Sequence, residues 1–390
     1  MRSVTSELND LSATGLRRSL RHLGGTPQGK CIRIAGRSGE VLNFSSNDYL
    51  GLANDPTLNA ASVAAIQAVG TGSGASRLIC GGAVNYHRQL EIECARYLGT
   101  QAALSFASGY AAAVGTVGAL VRKGDVVIAD KLAHACLIDG ARLSGATLRV
   151  FPHNRIDRLS SLLSWATEKV DSDHGRILVI TESVFSMDGD MADLRPIADL
   201  TKAHGAFLLV DEAHALGVVG PGGRGQVAEL GLEDVVDIRM ATLGKAAGSA
   251  GGLVAAGAEL VDLIANRARS FVFSTAPPPA QAAAGIAGIE LLRSERGDQL
   301  REKLRENILT FRELLGDRSI SDTAVQPVMV GDESEAVALA EALLDDGFLC
   351  PAIRFPTVSR GAARLRITLS AAHERDEIEA LVAHLSRRTA

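Results

Sequence analysis

Aromatic residues are scarce in this sequence: Phe, Tyr and Trp make up 4% of the 390 positions, and there is one Trp. A core of this size must therefore be built from Ala, Val, Leu and Ile. Cysteine is scarce as well. Cys31, Cys80, Cys94, Cys136 and Cys350 are odd in number, widely spaced and free of any C-x-x-C pair, which argues against a disulfide framework and against a zinc site. No stretch approaches the roughly 18 apolar residues of a membrane helix. Polar and charged residues interrupt Met1 to Leu23, so no secretory leader is read there and the cytosol is the expected address. Positive charge is not in excess either. The net charge of −5 gives no general attraction to nucleic acid or to an anionic membrane. The short cluster Arg17, Arg18 and Arg21 reads on its own as a solvated helix face.

Glycine, by contrast, is abundant. Forty glycines exceed the average share of about 7%, so tight turns and close backbone approaches to a ligand are expected. No repeat of fixed period stands out. Residues 1–55 read as an amphipathic helix, a turn through Gly24-Gly25-Thr26-Pro27 and two short strands, packing with a small domain. Apolar β-branched runs then alternate with helical segments: Ala102–Phe106, Val126–Ala129, Thr147–Phe151, Ile177–Thr181, Ala206–Val210 and Asp237–Thr242. Such alternation predicts an α/β fold with a mostly parallel sheet covered by helices, a large domain over residues 56–285. Pro277-Pro278-Pro279 breaks the chain and starts a long helix, the rhythm changes from about Glu290, and residues 286–390 are expected to form a smaller α+β domain. A site would lie at the carboxyl ends of the parallel strands, facing that domain.

Several strand ends carry chemistry. Leu208–Val210 runs into Asp211-Glu212-Ala213-His214. Asp-Glu-Ala-His is the magnesium box of nucleotide-driven helicases, but that use needs a G-x-x-x-x-G-K-[S/T] loop. The two Gly-Lys pairs, followed by Cys31 and Ala246, do not supply one. The other use is cofactor protonation. A carboxylate at a strand end keeps the pyridine nitrogen of pyridoxal 5'-phosphate cationic, and His214 sits near enough in sequence to serve the ring's phenolic oxygen. Lys245, in Leu243-Gly244-Lys245-Ala246-Ala247-Gly248, lies in an apolar, glycine-rich stretch that can lower an amine's pKa and free it for imine formation. Ser108-Gly109-Tyr110 opens a helix whose free N–H groups suit a phosphate. His134 follows a strand where an imidazole can stack on a flat ring, and Glu182 and Ser186 follow another. Taken singly, His134, Glu182 and Ser186 are as well explained by a cap or a core position, and Asp211 and His214 are better explained so, whereas a lysine in so apolar and glycine-rich a stretch is seldom a plain surface residue.

Together, the order Ser108-Gly109-Tyr110, His134, Glu182…Ser186, Asp211-x-x-His214, Thr242-x-x-Lys245 resembles the α-oxoamine synthases, from about Leu42 to His373. These are fold-type I pyridoxal-phosphate enzymes that condense an amino acid with an acyl thioester. The resemblance implies that Lys245 carries the cofactor as a Schiff base and that His134 stacks on its ring. It also implies that Asp211 pairs with the ring nitrogen, that Ser186 and His214 lie near the phenolic oxygen, and that Thr242 touches the phosphate. Leu42–Gly51, Val272–Pro277, Gln326–Asp332 and Ala352–Val358 are similar to the branch that joins L-alanine to a pimeloyl thioester in biotin biosynthesis. Within that likeness Arg366 matches the arginine that takes the amino-acid carboxylate, a bidentate task suited to a guanidinium. Asn47, Thr357 and an N-terminal arginine match substrate contacts; Arg17 fits through Leu16-Arg17-Arg18, and Arg21 fits without a gap. Ser359 and Ala246-Ala247 depart from the branch's pattern without touching a proposed catalytic group.

The resemblance also implies a homodimer with sites at the subunit interface, where Gly70–Arg77 would serve, and either coenzyme A or an acyl carrier protein as the thiol. No metal and no nucleic-acid or membrane partner is expected. Sister synthases that use glycine with acetyl-, succinyl- or palmitoyl-CoA share every cofactor residue above. An aminotransferase on the same fold, which would release neither CO₂ nor thiol, is the further alternative.

Overall fold

A computed structural model of the chain describes residues 3–14, 16–26, 29–171 and 174–389. The chain divides into two compact units. The larger comprises Asp48–Ser186 and Asp190–Lys303; the smaller comprises Met1–Asn47, Met187–Gly189 and Leu304–Ala390.

The larger unit is built on seven strands: β1 (Ala102–Phe106), β2 (Val126–Asp130), β3 (Thr147–Phe151), β4 (Ile177–Glu182), β5 (Phe207–Asp211), β6 (Ile238–Thr242) and β7 (Gly252–Ala256). Their order across the sheet is β1-β7-β6-β5-β4-β2-β3. Strands β2 to β6 pair in parallel, as the alternation with helices predicts. The exception is β7, which runs antiparallel between β6 and β1. Side-chain alternation sends each strand's residues to two cores. Val127, Ala129, Leu178, Ile180 and Leu209 face helices Gly109–Leu120 and Ala135–Ser144, while Val126, Ile128, Val179, Leu208 and Val210 face Ile156–Lys169 and Leu194–Ala203. Both faces are therefore apolar, and polar side chains are left to the strand ends.

In the smaller unit, Val325–Gly331, Ala363–Thr368 and Ala352–Ile353 form a three-stranded sheet with helix Glu333–Asp345 beside it. A second sheet takes Leu23–Gly24, Cys31–Ile34, Val41–Asn43 and Phe348–Leu349. The amino-terminal helix is Val4–Ala13, with no buried residue. Of the turn expected at Gly24–Pro27, Pro27 lies outside the described residues. Among the described residues no helix is long and apolar enough to cross a membrane.

Candidate active site

At the carboxyl ends of β4, β5 and β6 the sheet places its polar residues side by side. Glu182 and Asp211 are register partners on adjacent parallel strands, so their carboxyl groups come off the rim as neighbours. Both are buried. Burial pushes Asp211 up to about 6, against the opposing pull of the Lys245 ammonium. Burial and the charge of Asp211 push Glu182 up as well. Asp211 accepts from the Ala213 N–H at 2.9 Å, and Glu182 accepts from the His134 N–H at 2.5 Å.

Lys245 stands in the loop that joins β6 to β7. Thr242 shapes this loop from its start: its hydroxyl donates to the Gly251 carbonyl at 2.9 Å and accepts the Gly244 N–H at 3.1 Å. Gly248 closes it with φ +67°, and a Cβ there would lie 2.6 Å from the Leu52 backbone carbon, so only glycine fits. Lys245 Nζ comes 2.7 Å from His214 Nε2, and Tyr49 Oη comes 2.5 Å from His214 Nδ1. With Lys245 charged, its ammonium donates to Nε2, which leaves Nδ1–H to donate to Tyr49. Tyr49 lay in a stretch quoted for the resemblance but had no assigned role. It precedes the strand–helix alternation, and only the fold brings it to His214.

Ser108 caps the helix Gly109–Leu120, its hydroxyl accepting the Ala111 N–H at 3.1 Å. Tyr110 hydrogen-bonds Asp139 at 2.8 Å. Gly109, Tyr110, His134, Glu182, Asp211, His214, Thr242 and Lys245 line one cavity of ≈ 190 Å³, joined by Cys136, which the sequence did not single out. Ser108 adjoins this lining through Gly109, and Ser186 is buried at the far end of the segment that follows β4.

These residues fit pyridoxal 5'-phosphate. The cavity offers an amine for an aldehyde, a buried carboxylate for a pyridinium, an imidazole for a ring face and a helix amino terminus for a phosphate. Gly252 lets the backbone close in under that terminus, since a Cβ there would meet the Ser108 carbonyl oxygen at 2.3 Å.

The remaining expected substrate contacts belong to the smaller unit. The buried Arg366 donates to Asn47 Oδ1 at 3.1 Å and to Thr368 Oγ1 at 3.0 Å, which brings two of them together. Thr357 is reached by Arg18, at 3.2 Å. Arg17 is directed to Ser12, and Arg21 forms an ion pair with Glu341.

A model of the family described as aminotransferase class I and II matches residues 39–385. An 8-amino-7-oxononanoate synthase of Geobacter sulfurreducens is 44% identical over 99% of this chain and 97% of its own. The protein of the same name from Citrifermentans bemidjiense is 45% identical over 97% of this chain and 96% of its own. Among solved structures, the serine palmitoyltransferase of Sphingomonas wittichii matches with a TM-score of 0.90 at 30% identity, covering 99% of this chain and 96% of that one. An 8-amino-7-oxononanoate synthase from Francisella tularensis matches with a TM-score of 0.75 at 27% identity, over 90% and 98%.

Proposed function

Because the chain belongs to the aminotransferase class I and II family, and within it to the α-oxoamine synthases, we propose that it carries out the 8-amino-7-oxononanoate synthase reaction. L-Alanine is joined to a pimeloyl thioester, with loss of CO₂ and release of the free thiol. The cofactor is pyridoxal 5'-phosphate, which when bound supplies the electron sink for bond changes at the amino acid's Cα. The observation that carries this reading is the gathering of Lys245, His214, Asp211 and His134 around one cavity.

The roles follow from the chemistry of each group. Lys245 anchors the cofactor covalently and, once released, takes the Cα proton of the amino acid; its contact with His214 gives that proton a further acceptor. Asp211 keeps the ring nitrogen protonated: a cation placed against it reverses the penalty that burial imposes on the lone carboxylate. Ser108, Gly109, Tyr110 and Thr242 hold the phosphate, with the helix amino terminus as the fixed positive end. Glu182 and Ser186 shape the floor beside the ring. Arg366 takes the substrate carboxylate with Asn47 fixing its guanidinium, and Thr357 contacts the acyl chain. An arginine of the 17–21 segment joins Thr357, and the Arg18 contact supports a place for that segment beside it. The larger unit serves as the cofactor domain and the smaller as the substrate-recognition domain. The enzyme works as a homodimer in the cytoplasm, with coenzyme A or an acyl carrier protein as the leaving thiol.

The serine palmitoyltransferase neighbours favour a second reading, a sister synthase with a different amino acid and acyl group. An extra methylene in an apolar pocket discriminates by only about 1–3 kcal/mol, so the two are separated by assay. The holoenzyme is incubated with L-alanine, glycine or L-serine against pimeloyl-, acetyl-, succinyl- and palmitoyl-CoA, and thiol release is followed. Release confined to L-alanine with pimeloyl-CoA is expected. Release with glycine or serine and another acyl-CoA would overturn the assignment.

A further inference from the structure

Cys136 enters the cavity two residues after His134 and has no role in the reading above. His134 is the N-cap of helix Ala135–Ser144, and it caps with its ring: Nδ1 accepts the Cys136 backbone N–H at 3.3 Å. The Cys136 sulfur lies 2.9 Å from the same nitrogen. A backbone N–H can only donate, so this long contact favours a lone pair on Nδ1 and, in the neutral imidazole, the ring proton on Nε2. The thiol reinforces this choice only while it keeps its own proton. It does keep it, because burial and the charges of Asp211 and Glu182 push Cys136 up to about 12. Burial and the Lys245 ammonium, opposed by Asp139, hold the imidazole below its ordinary range. Protonation of Nδ1 would also set N–H against N–H and break the cap. From the other side, Glu182 grips the His134 main-chain N–H at 2.5 Å, so the backbone and one ring nitrogen are both held.

We propose that Cys136 is a positioning residue whose N–H and S–H together fix the proton of His134 on Nε2, so that His134 meets the substrate as a hydrogen-bond donor and not as a base. The acceptor that suits it is the thioester carbonyl oxygen, which gains negative charge as the carbon–carbon bond forms. That last assignment rests on the acyl-thioester reading; the tautomer does not. A competing use of the same pair is a thiol nucleophile that takes the acyl group by thiol–thioester exchange. The raised pKa and 3% exposure of Cys136 oppose it.

Holoenzyme and cofactor-free protein labelled with ¹⁵N-histidine, with His134→Gln to assign the signal, report the tautomer directly at neutral pH. The Nε2–H form is expected in both, and an Nδ1–H or imidazolium form would overturn the proposal whatever the assay says about substrate. Cys136→Ser keeps a donor and is expected to keep that signature. Cys136→Val retains only the backbone donor; a mixed tautomer signal and a kcat reduced up to about tenfold with an unchanged KM for the amino acid are expected. An unchanged tautomer and kcat in Cys136→Val would remove the thiol from the mechanism. Acylated Cys136 in mass spectra of the working enzyme would establish the nucleophile instead.

Discussion

Lys245, His214 and Tyr49 form a continuous path of polar atoms from the cavity into the interior. Replacing Lys245 with Ala is expected to abolish the visible absorption of the covalently bound cofactor and to lower turnover by about 10⁴-fold, the upper range for a positioned proton-transfer group. Absorption spectra and single-turnover assays check both. Tyr49→Phe keeps the ring and loses the hydroxyl that faces His214 Nδ1. A drop in kcat of about tenfold at most, with folding stability lower by about 1 kcal/mol, is expected from steady-state kinetics and urea melts. Asp211 and His214 at the end of an apolar strand and Lys245 in a glycine-rich loop were singled out by their combination, because a cap or a core histidine explains the strand end taken alone. Tyr49 was not, since nothing local marks it: its partner lies on another element far along the chain. The Arg17 and Arg21 expectations met a similar limit. Three arginines within five positions of an irregular segment carry no periodicity that would say which one points where, and only the fold puts Arg18 at Thr357.

At the scale of elements, the end of β2 and the turns beyond β3 and β4 are joined by a partly buried charge cluster. His153 lies 3.0 Å from Asp130 and 2.6 Å from Asp190, and it stands edge-on to Phe185 with ring centroids 4.4 Å apart. Asp130 also accepts the Leu132 N–H at 2.8 Å, so one carboxylate holds both the approach to His134 and the His153 turn. Burial disfavours the imidazolium, but the hydrogen bonds and charges of the two aspartates outweigh it and raise His153 to about 10. A histidine raised on folding stabilises fully below its ordinary pKa near 6.5, and that contribution is lost as pH climbs through about 10. The thermal midpoint is therefore expected to fall between about pH 7 and pH 10, and His153→Gln should flatten this part of the profile. Loss of the cation leaves Asp130 buried without it, at a cost of about 3 kcal/mol. Calorimetry across that range tests both the slope and the offset. Six strands of the large sheet were read from the sequence to within a residue or so at each end. The seventh, β7, was missed because Gly252-Leu253-Val254-Ala255-Ala256 is rich in small residues and preceded by glycines, and so looks like the tail of the lysine loop.

At the scale of the whole molecule, large apolar side chains are left uncovered in the larger unit. Ile79 is 78% exposed and Phe273 72%, in the two segments tied together by the hydrogen bond from the Ala276 N–H to the Ala75 carbonyl. Apolar side chains exposed to this extent suit a covering surface, which favours the homodimer proposed above. Sedimentation equilibrium is expected to return twice the chain mass. Phe273→Asp should shift it toward one chain, and an unchanged mass in that variant would place the interface elsewhere. The expected boundary near residue 286 rests on a change of rhythm from about Glu290, because helix and strand periodicity are local properties. Where one unit ends and the other begins is set by packing, which pattern alone does not carry.

The antiparallel strand β7 has a further consequence for how the protein is made. It is the last strand of its sheet to be synthesised, yet it sits between the first, β1, and the sixth, with Gly252 opposite both Phe106 and Thr242. The helix start at Ser108 and the loop bearing Lys245 each hang from a strand that has no neighbour on that side until β7 arrives. Closure of this gap is a long-range event of the slow kind. Acquisition of the bound cofactor's visible absorption by a chain refolding with pyridoxal 5'-phosphate should therefore trail the recovery of helical signal, and should report the insertion of one strand.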